Sequence, residues 1–205
     1  MRKSMCITYT VGDGLYVNVT NRCSNRCEFC IRNNGDGAYG SDSLWLEREP
    51  TADEIAEAVI SSNPSLYSEV VFCGYGEPSY RLDAIRMAVQ AVKEKYPETK
   101  FRINTNGHSD LINGRDTAQE YQGVFDSVSV SLNTPSSERY DSLCHPVFSD
   151  SYSALISFTE RVSRYVPSVA LSVVRQTLTE EELAECYSIS EHIGVPLKVR
   201  EYIAD

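Results

Sequence analysis

The sequence predicts an α/β fold with a parallel sheet, curved into an open (β/α)6 partial TIM barrel. Three observations carry this: six short apolar segments recur along the chain, amphipathic segments of helical period separate most of them, and the polar clusters fall just after the apolar segments. Strand, helix, strand in repetition implies right-handed crossovers with helices on the outer face. Six units are too few for a closed eight-fold barrel, and folds of this kind carry their active groups at the C-terminal ends of the strands.

The expected strands are Leu15 to Val19, Glu69 to Phe72, Lys100 to Thr105, Ser127 to Leu132, Val169 to Val174 and Leu197 to Tyr202. Thr51 with Glu54 forms a capping box for a helix over Ala52 to Ser61. Leu82 to Lys95 sets Leu82, Ile85, Ala88, Val89 and Val92 on one face. Tyr152 to Tyr165 and Glu180 to Ile193 follow the same pattern, the latter capped by Thr179 and stopped by Gly194-Val195-Pro196. Asp110 to Gln122 reads as one shorter helix.

With 205 residues, 41% hydrophobic and 23% charged, and no repeat or linker, the chain is expected to form a single domain over 1–205. A net charge of −10 makes free nucleic acid an unfavourable partner. No segment nears the roughly 20 apolar residues of a membrane helix and no apolar leader follows Met1, so a cytoplasmic protein without membrane contact is expected. Seven cysteines are an odd number for a disulfide framework. Cys6, Cys73, Cys144 and Cys186 are scattered and read as small buried hydrophobes, with no shared spacing for a second metal centre.

The remaining three cysteines lie in Asn21-Arg22-Cys23-Ser24-Asn25-Arg26-Cys27-Glu28-Phe29-Cys30, directly after the first strand. Soft thiolates favour iron-sulfur or zinc over calcium or magnesium. A structural zinc site closes with four ligands, which here requires a distant Cys or His, because His108, His145 and His192 are far apart in the sequence. Three thiolates on a four-iron cluster leave one iron open for chemistry.

Cys23, Cys27 and Cys30 in CxxxCxxC spacing, with Phe29 before the last cysteine, resemble the cluster loop of the radical S-adenosylmethionine (radical SAM) superfamily. The resemblance implies a [4Fe-4S] cluster on the three cysteines, S-adenosyl-L-methionine on the fourth iron and Phe29 near its adenine. Cys73-Gly74-Tyr75-Gly76-Glu77-Pro78 is similar to the family's GGEP motif, with Tyr75 in place of a glycine. On that likeness Gly74, Tyr75, Gly76 and Glu77 would meet the cosubstrate ammonium, although the segment also reads as a plain strand-ending turn. Asn106, in Asn104-Thr105-Asn106-Gly107, resembles the TNG of many members. Ser131 and Asn133 would meet ribose or carboxylate, with loop capping as the competing account, and Arg175 could pair with the cosubstrate carboxylate.

The stretch Tyr16 to Cys23, continuing through Cys30-Ile31-Arg32-Asn33, resembles the TatD-associated radical SAM proteins. The family likeness implies one-electron cleavage of S-adenosylmethionine to a 5′-deoxyadenosyl radical, with an electron donor such as flavodoxin or ferredoxin. The substrate, small molecule or protein, stays unknown; His108, His145, Arg139, Tyr140 and Arg200 fall where they could touch it. The alternatives are an activating enzyme for a glycyl-radical protein, a relative of the deazapurine-forming synthases, and a zinc-stabilised binding module without catalysis.

Overall fold

The computed structural model describes residues 2–202. One seven-stranded sheet runs in chain order, from β1 (Thr8–Val11) and β2 (Gly14–Val17) through β3 (Glu69–Phe72), β4 (Phe101–Thr105), β5 (Ser127–Ser131) and β6 (Ser168–Val174) to β7 (Leu197–Arg200). Every pairing from β2 onward is parallel, and β1 alone lies antiparallel on β2. The first and last strands do not pair with one another, so the sheet is open.

β1 was not expected. Its signal is the two-residue turn Gly12-Asp13, which lies between the paired Val11 and Gly14 with Gly12 at φ 59°. Thr8 to Val11 is too short and mixed to stand out as a buried strand. The expected strands exist with ends moved by one or two residues: the first stops at Val17 rather than Val19, and the last at Arg200 rather than Tyr202.

α1 (Ala52–Ser61) begins on the Thr51–Glu54 capping box, and α2 (Leu82–Lys95) buries Leu82, Ile85, Ala88, Val89 and Val92 as its spacing predicts. The helix expected over 110–122 is two pieces. α3 (Ser109–Asn113) ends on Gly114 at φ 65°, and a 3-10 turn follows at Ala118–Tyr121. α4 (Ser137–Cys144) was not anticipated; Ser136 caps it by accepting from the Arg139 amide. α5 (Ser151–Val162) stops three residues short of Tyr165, and α6 (Glu180–Ile193) keeps its expected span between Thr179 and Gly194.

Helices cover the outward strand residues, where Val17, Val70, Phe72, Phe101, Ile103, Val128, Val130, Leu171 and Val173 form one apolar core with α1, α2 and α5. The inward face carries most of the polar strand residues, beside Val71, Ala170 and Val174. The register aligns Arg102 with Ser127, Asn104 with Ser129, Ser131 with Ser172, and Ser172 with Lys198 across four strands. Side chains on one face of a strand recur every second residue, so these groups share the lumen.

Candidate active site

The cysteine loop is held in place from several sides. The Asn21 side chain bonds the backbone of Leu46 twice, accepting from its amide at 2.9 Å and donating to its carbonyl at 2.8 Å. Arg22 pairs with Glu49 at 2.7 Å and lies 4.7 Å over the Tyr80 ring. The C-terminus of α4 supplies two more anchors, its Cys144 and Leu143 carbonyls accepting from the amides of Arg26 (2.8 Å) and Glu28 (3.1 Å). Such carbonyls have no partner inside the helix, which makes a helix end a natural clamp.

Beneath the loop lies a buried polar chain. Asn106 donates to Ser24 Oγ at 2.8 Å, Ser24 Oγ lies 3.0 Å from His108 Nδ1, Tyr140 Oη lies 3.2 Å from His108 Nε2, and Asn25 donates to Tyr140 Oη at 2.8 Å. Burial holds the His108 imidazole down at about 4, so it is neutral at pH 7, with one ring nitrogen donating and the other accepting. His108 and Tyr140 thus support the loop rather than the lumen, since neither lines the cavity.

Cys23, Cys27 and Cys30 line one cavity of about 260 Å³ at the C-terminal ends of the strands, together with Phe29. Burial, with the Glu77 carboxylate second, pushes the Cys23 thiol up to about 12. The Cys144 thiol is the main cause that raises Cys27, and burial raises Cys30. Only a strongly bound cation would take their protons. Among the described residues no three His, Cys, Asp or Glu side chains gather around a point that one metal ion could occupy. Three soft sulfurs lining one cavity have the chemistry of iron-sulfur ligands. Asn25 lines the same cavity with a buried Oδ1 that no protein group satisfies.

The same cavity is lined by Glu77, which is 3% exposed and donates its backbone amide to the Arg22 carbonyl at 2.7 Å. Its Oε1 accepts from Thr105 Oγ1 (2.7 Å) and the Ser79 amide (3.1 Å), and its Oε2 from the Asn106 amide (2.7 Å). Burial raises its pKa and these donors pull it back; donors on both oxygens select the carboxylate form. Asn106, Ser131 and Asn133 also line the cavity, Asn133 in a left-handed conformation at φ 63° with its amide 3.5 Å from Cys144 Sγ.

Gly76 fits where no other residue would, because a Cβ there would lie 2.3 Å from the Thr20 carbonyl oxygen. Gly74 likewise has no room, its Cβ position lying 2.1 Å from Asn18 Oδ1, but it does not line the cavity. Tyr75 points the other way. It packs with Tyr9, Ala38 and Leu44 in a second small core, its ring 5.2 Å from Trp45 and its hydroxyl donating to the Gly35 carbonyl at 3.0 Å.

Arg175 is not brought to the cavity, contrary to expectation. Val174 is on the lumen face in register with Arg200, so the next residue turns outward, where Arg175 pairs with Glu180 and donates to the Leu178 carbonyl. The guanidinium that does line the cavity is Arg200. Arg139 and His145 lie outside it, paired with Glu182 and Glu28. Cys73, Asn104 and Ser172 were overlooked as cavity residues; each sits at a strand end on the lumen face, which alternation could have indicated.

Residues 17–188 match the family model described as the radical SAM superfamily, and the chain belongs to that superfamily. No curated protein matches the sequence. Among solved structures, Streptococcus suis SuiB bound to precursor peptide SuiA aligns with a TM-score of 0.68 at 16% identity, covering 93% of this chain and 39% of SuiB. The same protein bound to S-adenosylmethionine gives 0.65 at 15% identity, over 92% and 40% of the two chains. A radical SAM methyltransferase from Sphaerobacter thermophilus gives 0.60 at 18% identity, over 95% and 68%. These likenesses establish the fold, and the chain spans about two fifths of SuiB.

Proposed function

We propose that this protein is a radical SAM enzyme in which Cys23, Cys27 and Cys30 hold a [4Fe-4S] cluster and the polar wall from Gly76 to Asn133 holds S-adenosyl-L-methionine. The observation that carries the reading is the meeting of three thiols, a buried carboxylate and the side chains of Asn106, Ser131 and Asn133 around one cavity at the strand ends. When bound and reduced, the cluster would supply the electron that splits the cosubstrate into methionine and a 5′-deoxyadenosyl radical. Glu77 and the Gly76 backbone would hold the ammonium, with Glu77 itself fixed by three donors so that it cannot swing away. Phe29 would shield the adenine from water. Asn106, Ser131 and Asn133 would orient the remaining polar groups.

The loop sequence from Tyr16 through Asn33 favours the TatD-associated branch of the superfamily. One core domain, an electron donor of the flavodoxin or ferredoxin type and an oxidoreductase role in the cytoplasm complete the reading. Anaerobic reconstitution should yield close to four irons and four sulfides per chain, and reduction with S-adenosylmethionine should release 5′-deoxyadenosine. Stoichiometric zinc without iron would favour the zinc-stabilised module and overturn the proposal. Cys27→Ala should abolish cluster assembly while Cys186→Ala, buried in α6 away from the cavity, retains it; equal iron loss in both would remove the assignment.

A further inference from the structure

Below the cysteines the lumen holds a charge arrangement that the proposed cofactor does not use. Arg102, Lys198 and Arg200 line a second cavity of about 590 Å³ with Tyr16, Glu69 and Ser127. Arg102 is fully engaged. Glu69 accepts from it at 2.7 and 3.0 Å, Asn104 Oδ1 at 2.6 Å, and the Tyr16 hydroxyl lies at 3.4 Å. Arg200 makes one hydrogen bond, from Nη2 to Ser129 Oγ at 2.8 Å, and among the described residues neither it nor Lys198 forms an ion pair.

The other carboxylates nearby are spoken for. Glu77 is bound by its three donors, and Glu201 accepts from the Gln176 amide. Among the described residues Arg200 and Lys198 thus have no ion pair of their own, although Glu69 lies close enough to attract Lys198. Partial burial and the neighbouring guanidiniums of Arg102 and Arg200 lower the Lys198 pKa, the expected sign where like charges crowd.

Arg200 lines both cavities. Its charge is felt by Cys73, just past β3, and by Tyr39, whereas the cluster cysteines feel Arg32. Arg200 thus stands between the two cavities that it lines. A half-buried guanidinium with one donor spent among the described residues is suited to an oxyanion, which it can grip with two parallel bonds.

We propose that Arg200, held in place by Ser129, forms with Lys198 the substrate-binding site of this lumen and that the substrate carries an oxyanion, a carboxylate or a phosphate. The inference rests on the radical SAM reading only for calling the bound molecule a substrate. The experiment titrates sodium phosphate and sodium succinate, at constant ionic strength, into cluster-loaded wild type, Arg200→Gln and Lys198→Gln, with S-adenosylmethionine titrated in parallel. One of the two anions should bind wild type, identifying the headgroup. Arg200→Gln should weaken it roughly ten- to a hundred-fold, the loss of one charge-assisted contact, and Lys198→Gln, at an exposed site that folding tolerates, by several-fold. Affinity for S-adenosylmethionine should hold within about two-fold. Absence of anion binding to wild type, or equal affinity in all three proteins, overturns the site. Weakened S-adenosylmethionine binding in Arg200→Gln overturns it too, assigning Arg200 to the cosubstrate. Failure of wild type to load iron or bind S-adenosylmethionine sinks the radical SAM reading instead, and the anion titrations still score the lumen.

Discussion

Glu77 joins two segments through its two oxygens: its own turn, at the Ser79 amide, and the end of β4, at Thr105 and Asn106. Glu77→Gln swaps an acceptor for a donor against these groups, so it should cost about 1.5–3 kcal/mol of stability in addition to weakening S-adenosylmethionine by roughly ten- to a hundred-fold. Denaturant titration and anaerobic binding at matched iron loading separate the two effects; a variant unchanged in both would leave the segment as a plain turn. His108 gives a second residue-scale expectation. Its folded pKa of about 4 lies below the ordinary imidazole value of 6.5, so the unfolded chain binds a proton that the native state refuses. The contribution is whole above pH 6.5 and is lost as pH falls towards 4, by about 2 kcal/mol between pH 7 and 5. Urea midpoints at the two pH values should show this, with a shallower dependence in His108→Gln. Local motifs revealed the thiols and Glu77, whereas the Ser24–His108–Tyr140 chain spans contacts 84 and 32 residues apart that no local pattern encodes. Arg175 was misplaced for a readable reason, since alternation from Val174 already turns it outward.

Among the elements, those with caps and a long apolar period were legible. α1 and α6 carry complete capping boxes, and α2 buries one unbroken face. Thr51→Ala removes an acceptor for the Glu54 amide and releases its partner, so thermal or chemical unfolding should show a loss of about 1 kcal/mol. A full-strength box makes an undetectable change incompatible with the cap. α4 escaped notice because eight residues with three buried side chains give too short a period to read, yet its C-terminus clamps the cysteine loop. The 110–122 segment looked continuous because its polar residues tolerate a helix, and Gly114 in a left-handed conformation was the missed stop.

For the whole molecule, the alternation of strands and helices was enough to indicate an open parallel sheet, because consecutive parallel strands require covered crossovers. The antiparallel β1 was hidden, since one short hairpin strand alters neither composition nor period. Stability should follow position in the sheet. Hydrogen exchange is expected to be slowest in β3 to β5, flanked on both sides, and faster in β1 and β7, each with one free edge; uniform protection across the sheet would contradict this. The free edge of β7 also bears on what the lumen can admit. A closed ring passes only what is narrower than its bore, whereas a slotted wall is limited by the thickness of the guest and not by its length. Asn34 and Tyr202, 3.4 Å apart, bridge the cysteine loop to the segment after β7. Below that latch, among the described residues, no strand lies beyond β7 to limit a guest longer than the lumen is wide.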